Sequence, residues 1–62
     1  MTAESRSPAD TERLRVVLAR NGMTVEQFDQ RMAEMIRDHA QFNQDYYRRY
    51  AARVERALIE RA

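Results

Sequence analysis

The chain beyond its first 24 residues contains no residue that ordinarily ends a helix. The sequence holds one proline and one glycine, Pro8 and Gly22. These two residue types are the strongest helix breakers, since proline removes a backbone donor and glycine is conformationally free. Residues 25–62 therefore predict one unbroken helix, which would be roughly 57 Å long at 1.5 Å per residue.

A break in this helix is the main alternative. Polar residues that compete with helical hydrogen bonding cluster in the segment Ala40-Gln41-Phe42-Asn43, and asparagine in particular favours caps and turns. A break there would let the last segment fold back and would give a three-helix monomer.

Signals for a shorter first helix and a turn precede the long helix. Ser7-Pro8-Ala9-Asp10 is typical of a helix start, because the serine can cap and proline is tolerated at the first position. Gly22 permits the left-handed residue that ends many helices. Thr24 and Gln27 have the spacing of a capping box, and Met23 and Phe28 occupy the two positions of a hydrophobic staple.

These signals predict an all-α fold, a helical hairpin with a short first helix and a long second helix. We expect it to associate through coiled-coil-like packing. The predicted organisation is a disordered tail followed by one domain: tail 1–7, helix 8–21, turn 22–24 and long helix 25–62.

An apolar stripe along the second helix supports this packing. Its members follow one another in steps of three and four, the spacing of a helix packed lengthwise on a partner. They are Val25, Phe28, Met32, Met35, His39, Phe42 and Tyr46. After Tyr46 the apolar residues recur in steps of four, so the stripe turns gradually around the helix.

The first helix is too short to cover the whole stripe. At about 13 residues it would be roughly 20 Å long and would reach only to about Ile36. Seven large apolar residues then have no partner within the chain: Phe42, Tyr46, Tyr47, Tyr50, Val54, Leu58 and Ile59. Because monomers rarely expose so large a patch, the prediction is that another chain covers it.

Composition argues against catalysis and cofactor binding. A core in a chain of 62 residues supplies only a few kcal/mol, roughly 3–5, so such chains often need a disulfide, a metal or a partner. There is no cysteine, and His39 is the single histidine. We find no nucleophile beside a base and no glycine-rich loop, so we expect neither an enzyme, nor a metal site, nor a cofactor.

The most distinctive local feature is a tract of tyrosine and arginine in the second half of the long helix. Both residue types are enriched at the energetically dominant positions of protein interfaces. The predicted partner-binding residues are Phe42, Tyr46, Tyr47, Arg48, Arg49, Tyr50, Arg53, Val54 and Leu58. Interleaved aromatic and arginine side chains also suit nucleic acid, and Arg49, Arg53 and Arg56 share one helical face. The formal net charge of only +1 gives no overall attraction to phosphate.

Residues 13–28 resemble the first helix, turn and second-helix start of phage-repressor-type helix-turn-helix domains. The resemblance covers about a quarter of the chain, and that family continues with a short turn and a recognition helix. Here residues 32–38 carry no turn signal.

Taken together, these features predict a small, non-catalytic interaction protein. It would act as an adaptor, inhibitor or regulatory subunit, of the kind common in phages and mobile elements. The expected partner is another protein, a second copy of the chain in a homodimer, or both. A dimeric nucleic-acid-binding regulator is the alternative. No apolar run reaches the roughly 20 residues of a membrane span, and the N-terminus lacks the apolar stretch of a secretory signal, so we expect a cytoplasmic location.

Overall fold

The computed structural model describes residues 6–62, which form two α-helices and no strand. Helix α1 spans Pro8–Arg20, and helix α2 spans Val25–Arg61. The two helices pack against each other. The predicted all-α fold with a short helix before a long one is confirmed.

Helix α1 begins where the sequence predicts. The Ser7 hydroxyl accepts a hydrogen bond of 3.1 Å from the backbone N–H of Asp10, and Pro8 occupies the first helical position. Ser7 thereby satisfies one of the donors that a helix start leaves without an intrahelical partner.

The turn between the helices also matches its sequence signals. Gly22 has a φ of 71°, the left-handed conformation that glycine adopts without steric cost. Its N–H donates to the carbonyl of Ala19, and the N–H of Met23 donates to the carbonyl of Leu18, each at 3.0 Å. This pair of bonds is the Schellman motif. Thr24 then starts α2 with both bonds of the capping box present.

Helix α2 is broken at Asn43. Asn43 has φ −165° and ψ 88°, outside the helical range, with helix on either side. Its side-chain oxygen accepts a 2.9 Å hydrogen bond from the backbone N–H of Tyr46, the geometry of an N-cap. We call residues 25–42 the first arm of α2 and residues 44–61 the second arm. The prediction of an unbroken helix is therefore wrong, and the alternative of a break in this segment is correct.

The break lets the second arm return to the core. Leu14 and Leu18 of α1, Phe28 of the first arm and Ile59 of the second arm form one buried cluster. Five partly buried residues pack against it: Met23, Val25, Met32, Val54 and Leu58. The greatest extent of the described residues is 33 Å, which is shorter than a straight α2 would be.

Part of the predicted stripe lies inside this core. Phe28 is buried, and Val25 and Met32 pack against the cluster. Met35 and His39, nearer the break, are half-buried. The stripe therefore serves intramolecular packing at its start and becomes exposed as it approaches Asn43.

An arginine from the segment before α1 joins the two arms. The Arg6 guanidinium donates to the carboxylate of Asp29 at 2.9 and 3.3 Å and to that of Glu55 at 2.6 and 3.2 Å. Its side chain is only 6% exposed. The hydrogen bonds to Asp29 and then to Glu55 raise the pKa of Arg6 above its ordinary value.

The folded domain therefore begins earlier in the chain than the predicted tail of residues 1–7 implies. Arg6 bridges the arms and Ser7 caps α1, so both belong to the folded domain. Residues 1–5 of the predicted tail lie outside the described residues. A second link closes the same end of the molecule, where Arg56 contacts Asp10 of α1 at 3.2 Å.

Candidate functional site

Of the seven apolar residues expected to lack a partner, three pack in the core, three are exposed and Tyr47 is half-buried. Ile59 is buried, at 2% exposure, and Val54 and Leu58 pack partly buried against its cluster. For these three the expectation is wrong, because the fold-back at Asn43 brings them onto α1. The large exposed residues all lie near the break, with exposures of 73% for Phe42, 56% for Tyr46 and 43% for Tyr50.

Aromatic rings cluster around the break. The rings of Tyr46 and Tyr47 meet edge to face with centroids 5.0 Å apart. His39 of the first arm lies 4.5 Å from the Tyr47 ring and 6.5 Å from the Phe42 ring. Such distances are within the range of favourable aromatic contacts. We call Phe42, Tyr46, Tyr47 and Tyr50 the aromatic surface.

The break brings the rings of the two arms together. His39 and Tyr47 are two helical turns apart in sequence, and in a continuous helix eight residues span about 12 Å. Their rings can meet only because the chain reverses between them at Asn43. The Nδ1 atom of His39 lies 2.9 Å from the carbonyl oxygen of Met35, which fixes the ring along the first arm.

Arginine side chains flank the aromatic surface. Arg49 contacts Asp45 at 3.4 Å, with both side chains more than three-quarters exposed, so this ion pair adds little to stability. Arg53 lies exposed one turn beyond Tyr50. The third residue of the predicted arginine face, Arg56, is engaged by Asp10. Arg49 and Arg53 therefore lie exposed on the arm that carries Tyr46 and Tyr50, whereas Arg56 contacts α1.

Arg48, also among the predicted partner-binding residues, faces a groove between the two arms. The groove has a volume of about 1040 Å³. Its floor is formed largely by apolar and small side chains, Phe28, Met32, Ala33, Ile36, Ala40, Ala51 and Ala52. Arg37 and Arg48 line it toward the break, and Arg6 closes the other end.

The groove was not foreseen from the sequence, although a signal for it exists. Ala33, Ile36 and Ala40 are spaced by three and four residues, and Ala51 and Ala52 lie on the facing arm. Small residues at facing helical positions leave a depression between helices. This spacing becomes informative only once the two arms are known to lie side by side.

The described part of the chain offers little for metal binding or membrane insertion. Within residues 6–62, no three side chains among histidine, aspartate and glutamate come together in a way that could hold a metal ion. Neither described helix combines the length and the apolar character needed to cross a bilayer.

The helix-turn-helix resemblance does not extend beyond Phe28. In place of a turn and a recognition helix, the first arm continues as helix to the break at Asn43. No family model, curated protein or solved structure matches this chain.

Proposed function

We propose that this chain is a small, non-catalytic protein-interaction module that binds its partner through the aromatic surface. The observation that carries the proposal is the exposure of Phe42, Tyr46 and Tyr50 on a domain whose other large apolar residues are buried or half-buried. An adaptor, inhibitor or regulatory subunit acting in the cytoplasm would use such a surface.

Energetics favour a role in binding over an accidental exposure. Fully burying a large apolar side chain is worth roughly 1.5–3 kcal/mol, and tyrosine adds a polar hydroxyl that tolerates water before binding. The edge-to-face contact of Tyr46 with Tyr47 holds these rings in place before a partner arrives. Rings that are already ordered lose less conformational entropy on binding.

The flanking arginines provide the polar rim of the proposed interface. Arg49 and Arg53 lie exposed beside Tyr46 and Tyr50 on the same helical face. Their planar guanidinium groups suit carboxylates of a partner protein. Val54 and Leu58 are left out of the proposed interface, because their apolar surface is already packed within the chain.

Capture of a partner tests the proposal. The chain would be immobilised and exposed to an extract of its source cells, and captured proteins would be quantified by mass spectrometry. We expect Tyr50→Asp to abolish capture of the specific partner, because it places a charge inside the apolar contact. Arg31→Gln is the matched control, since it makes the same change in net charge at an exposed position of the first arm.

Both variants should keep the circular dichroism spectrum of the original chain. Equal capture of the same partner by the original chain and the Tyr50→Asp variant would contradict the assignment of this surface.

Nucleic-acid binding is the second candidate, favoured by the exposed arginines beside stacked rings. In that case single-stranded DNA or RNA should bind, and affinity should fall steeply with salt as phosphate contacts release counterions. Arg49→Ala combined with Arg53→Ala should weaken that binding and reduce its salt dependence. Absent or salt-insensitive binding in a fluorescence titration would remove this candidate.

A further inference from the structure

We propose that two copies of this chain form a dimer by exchanging their second arms, with Asn43 as the hinge. In the exchanged dimer α2 of each copy is a straight helix. The second arm of one copy then packs on α1 and the first arm of the other copy. The proposal does not rest on the proposed function, because its evidence is the hinge and the intramolecular contacts of the second arm.

The hinge is a single residue with little to prevent it from becoming helical. Only Asn43 departs from helical φ and ψ within Val25–Arg61, and this range contains neither glycine nor proline. Asparagine is a weaker helix former than alanine, but it is tolerated inside helices. Straightening α2 therefore requires one residue to change its conformation, and helix already exists on both sides.

Every described contact that holds the second arm can form equally well between two copies. Ile59 packs with Leu14 and Phe28, which lie on the other side of the hinge. The ion pairs of the arm, Glu55 with Arg6 and Arg56 with Asp10, also cross the hinge. An exchanged arm packs against the same residues of the second copy, so the dimer keeps these contacts.

The pairing of the arms also sets the geometry of the dimer. Arg6 joins Asp29, 14 residues before Asn43, to Glu55, 12 residues after it. The arms are therefore antiparallel and paired around the break. In the exchanged dimer the two straight helices run antiparallel in the same register, which brings Phe42 of each copy to the two-fold axis.

This arrangement gives the exposed residues at the break a partner. Phe42 and Tyr46 belong to the apolar stripe predicted along the long helix but are 73% and 56% exposed. At the two-fold axis Phe42 would meet Phe42 of the second copy, and Tyr46 would lie opposite the turn of Asp38 and His39 of that copy. The monomer is favoured instead by the Asn43 cap on Tyr46, which a straight helix cannot keep.

Variants at the hinge test the proposal by mass. Asn43→Ala removes the cap and strengthens the helix, so we expect at least a tenfold rise in the association constant. Asn43→Ser is the matched control, because serine retains a capping oxygen. Gln44→Pro should hold the chain as a monomer, since proline restricts residue 43 to extended backbone and suits the first position of the second arm.

Light scattering on a sizing column, across a concentration series, measures the solution mass of the original chain and of each of the three variants. Contacts between labelled and unlabelled copies, from isotope-filtered NMR, then show whether Ile59 touches Leu14 of its own chain or of its partner. An interchain contact in the dimer, with a monomeric Gln44→Pro variant, is the expected result.

Any one of three results would overturn the proposal. The Asn43→Ala and Asn43→Ser variants could associate equally, or the Gln44→Pro variant could associate as strongly as the original chain. The third result is a dimer in which Ile59 contacts Leu14 of its own chain. If circular dichroism shows that the Asn43→Ala variant does not fold, the proposal is tested by comparing the association of the original chain with that of the Gln44→Pro variant.

Discussion

Single residues near the two ends of the second arm have opposite roles in this protein. Ile59, at 2% exposure, belongs to the buried cluster, whereas Phe42, at 73%, lies open beside the break. Their apolar character alone does not distinguish them. The direction of the second arm after Asn43 determines which of the two side chains is buried. Substitutions at these positions therefore test whether the second arm packs on α1.

We expect Ile59→Ala to lower the free energy of unfolding by about 2–5 kcal/mol, through lost burial and a residual cavity. Phe42→Ala should change it by less than about 0.5 kcal/mol, as is usual for exposed positions. Urea unfolding followed by circular dichroism at low protein concentration measures both. Similar small effects at the two positions would mean that the second arm does not pack on α1.

At the scale of the helices, the break in α2 is the feature that organises the domain. Asn43 caps the second arm through Tyr46, and Asp45 lies in the first turn that follows. An acidic residue there interacts favourably with the helix dipole. The second arm therefore has the start signals of an independent helix.

Gln44→Pro tests whether the second arm begins at this residue. Proline at the first position of a helix is well tolerated, so we expect little loss of thermal stability or a gain of up to about 1 kcal/mol. Inside a continuous helix the same change would cost about 3 kcal/mol. A thermal melt of the variant at low concentration gives the answer, and a large drop in its midpoint would argue against the break.

The sequence predicts those parts of the fold that local chemistry determines. The Ser7 cap, the left-handed Gly22 and the Thr24–Gln27 capping box each act within a few residues, and all three were predicted correctly. The break at Asn43 was only an alternative, because an asparagine inside a helix costs little by itself. What favours the break is the packing of Ile59 into the cluster that contains Leu14, 45 residues away in sequence.

The candidate site, like the fold, is predicted from the sequence only in part. The length of α1 predicts that Phe42, Tyr46 and Tyr50 lack a partner within the chain, and they are exposed. The sequence also predicts Val54 and Leu58 on this surface, because a straight helix leaves them uncovered. Their burial depends on tertiary contacts of the second arm, and no pattern within the arm indicates it.

For the whole molecule, the fold-back separates apolar residues that build a core from those that form a surface. Burying Ile59, Val54 and Leu58 against α1 gives a compact domain with a Cα radius of gyration of 11.7 Å. That value is close to the roughly 11 Å expected for a globular chain of this length. The aromatic surface lies at the opposite end of the arms from the Arg6 bridge, so partner binding there need not disturb the core.

The contact between Leu14 and Ile59 in dilute solution is the most direct test of this arrangement. Methyl–methyl nuclear Overhauser effects would be recorded at a concentration where light scattering gives the 7.4 kDa mass of one chain. We predict strong effects between these two residues, together with non-helical chemical shifts at Asn43. Absence of that contact in a folded monomer, with helical shifts running unbroken through Asn43, would contradict the account.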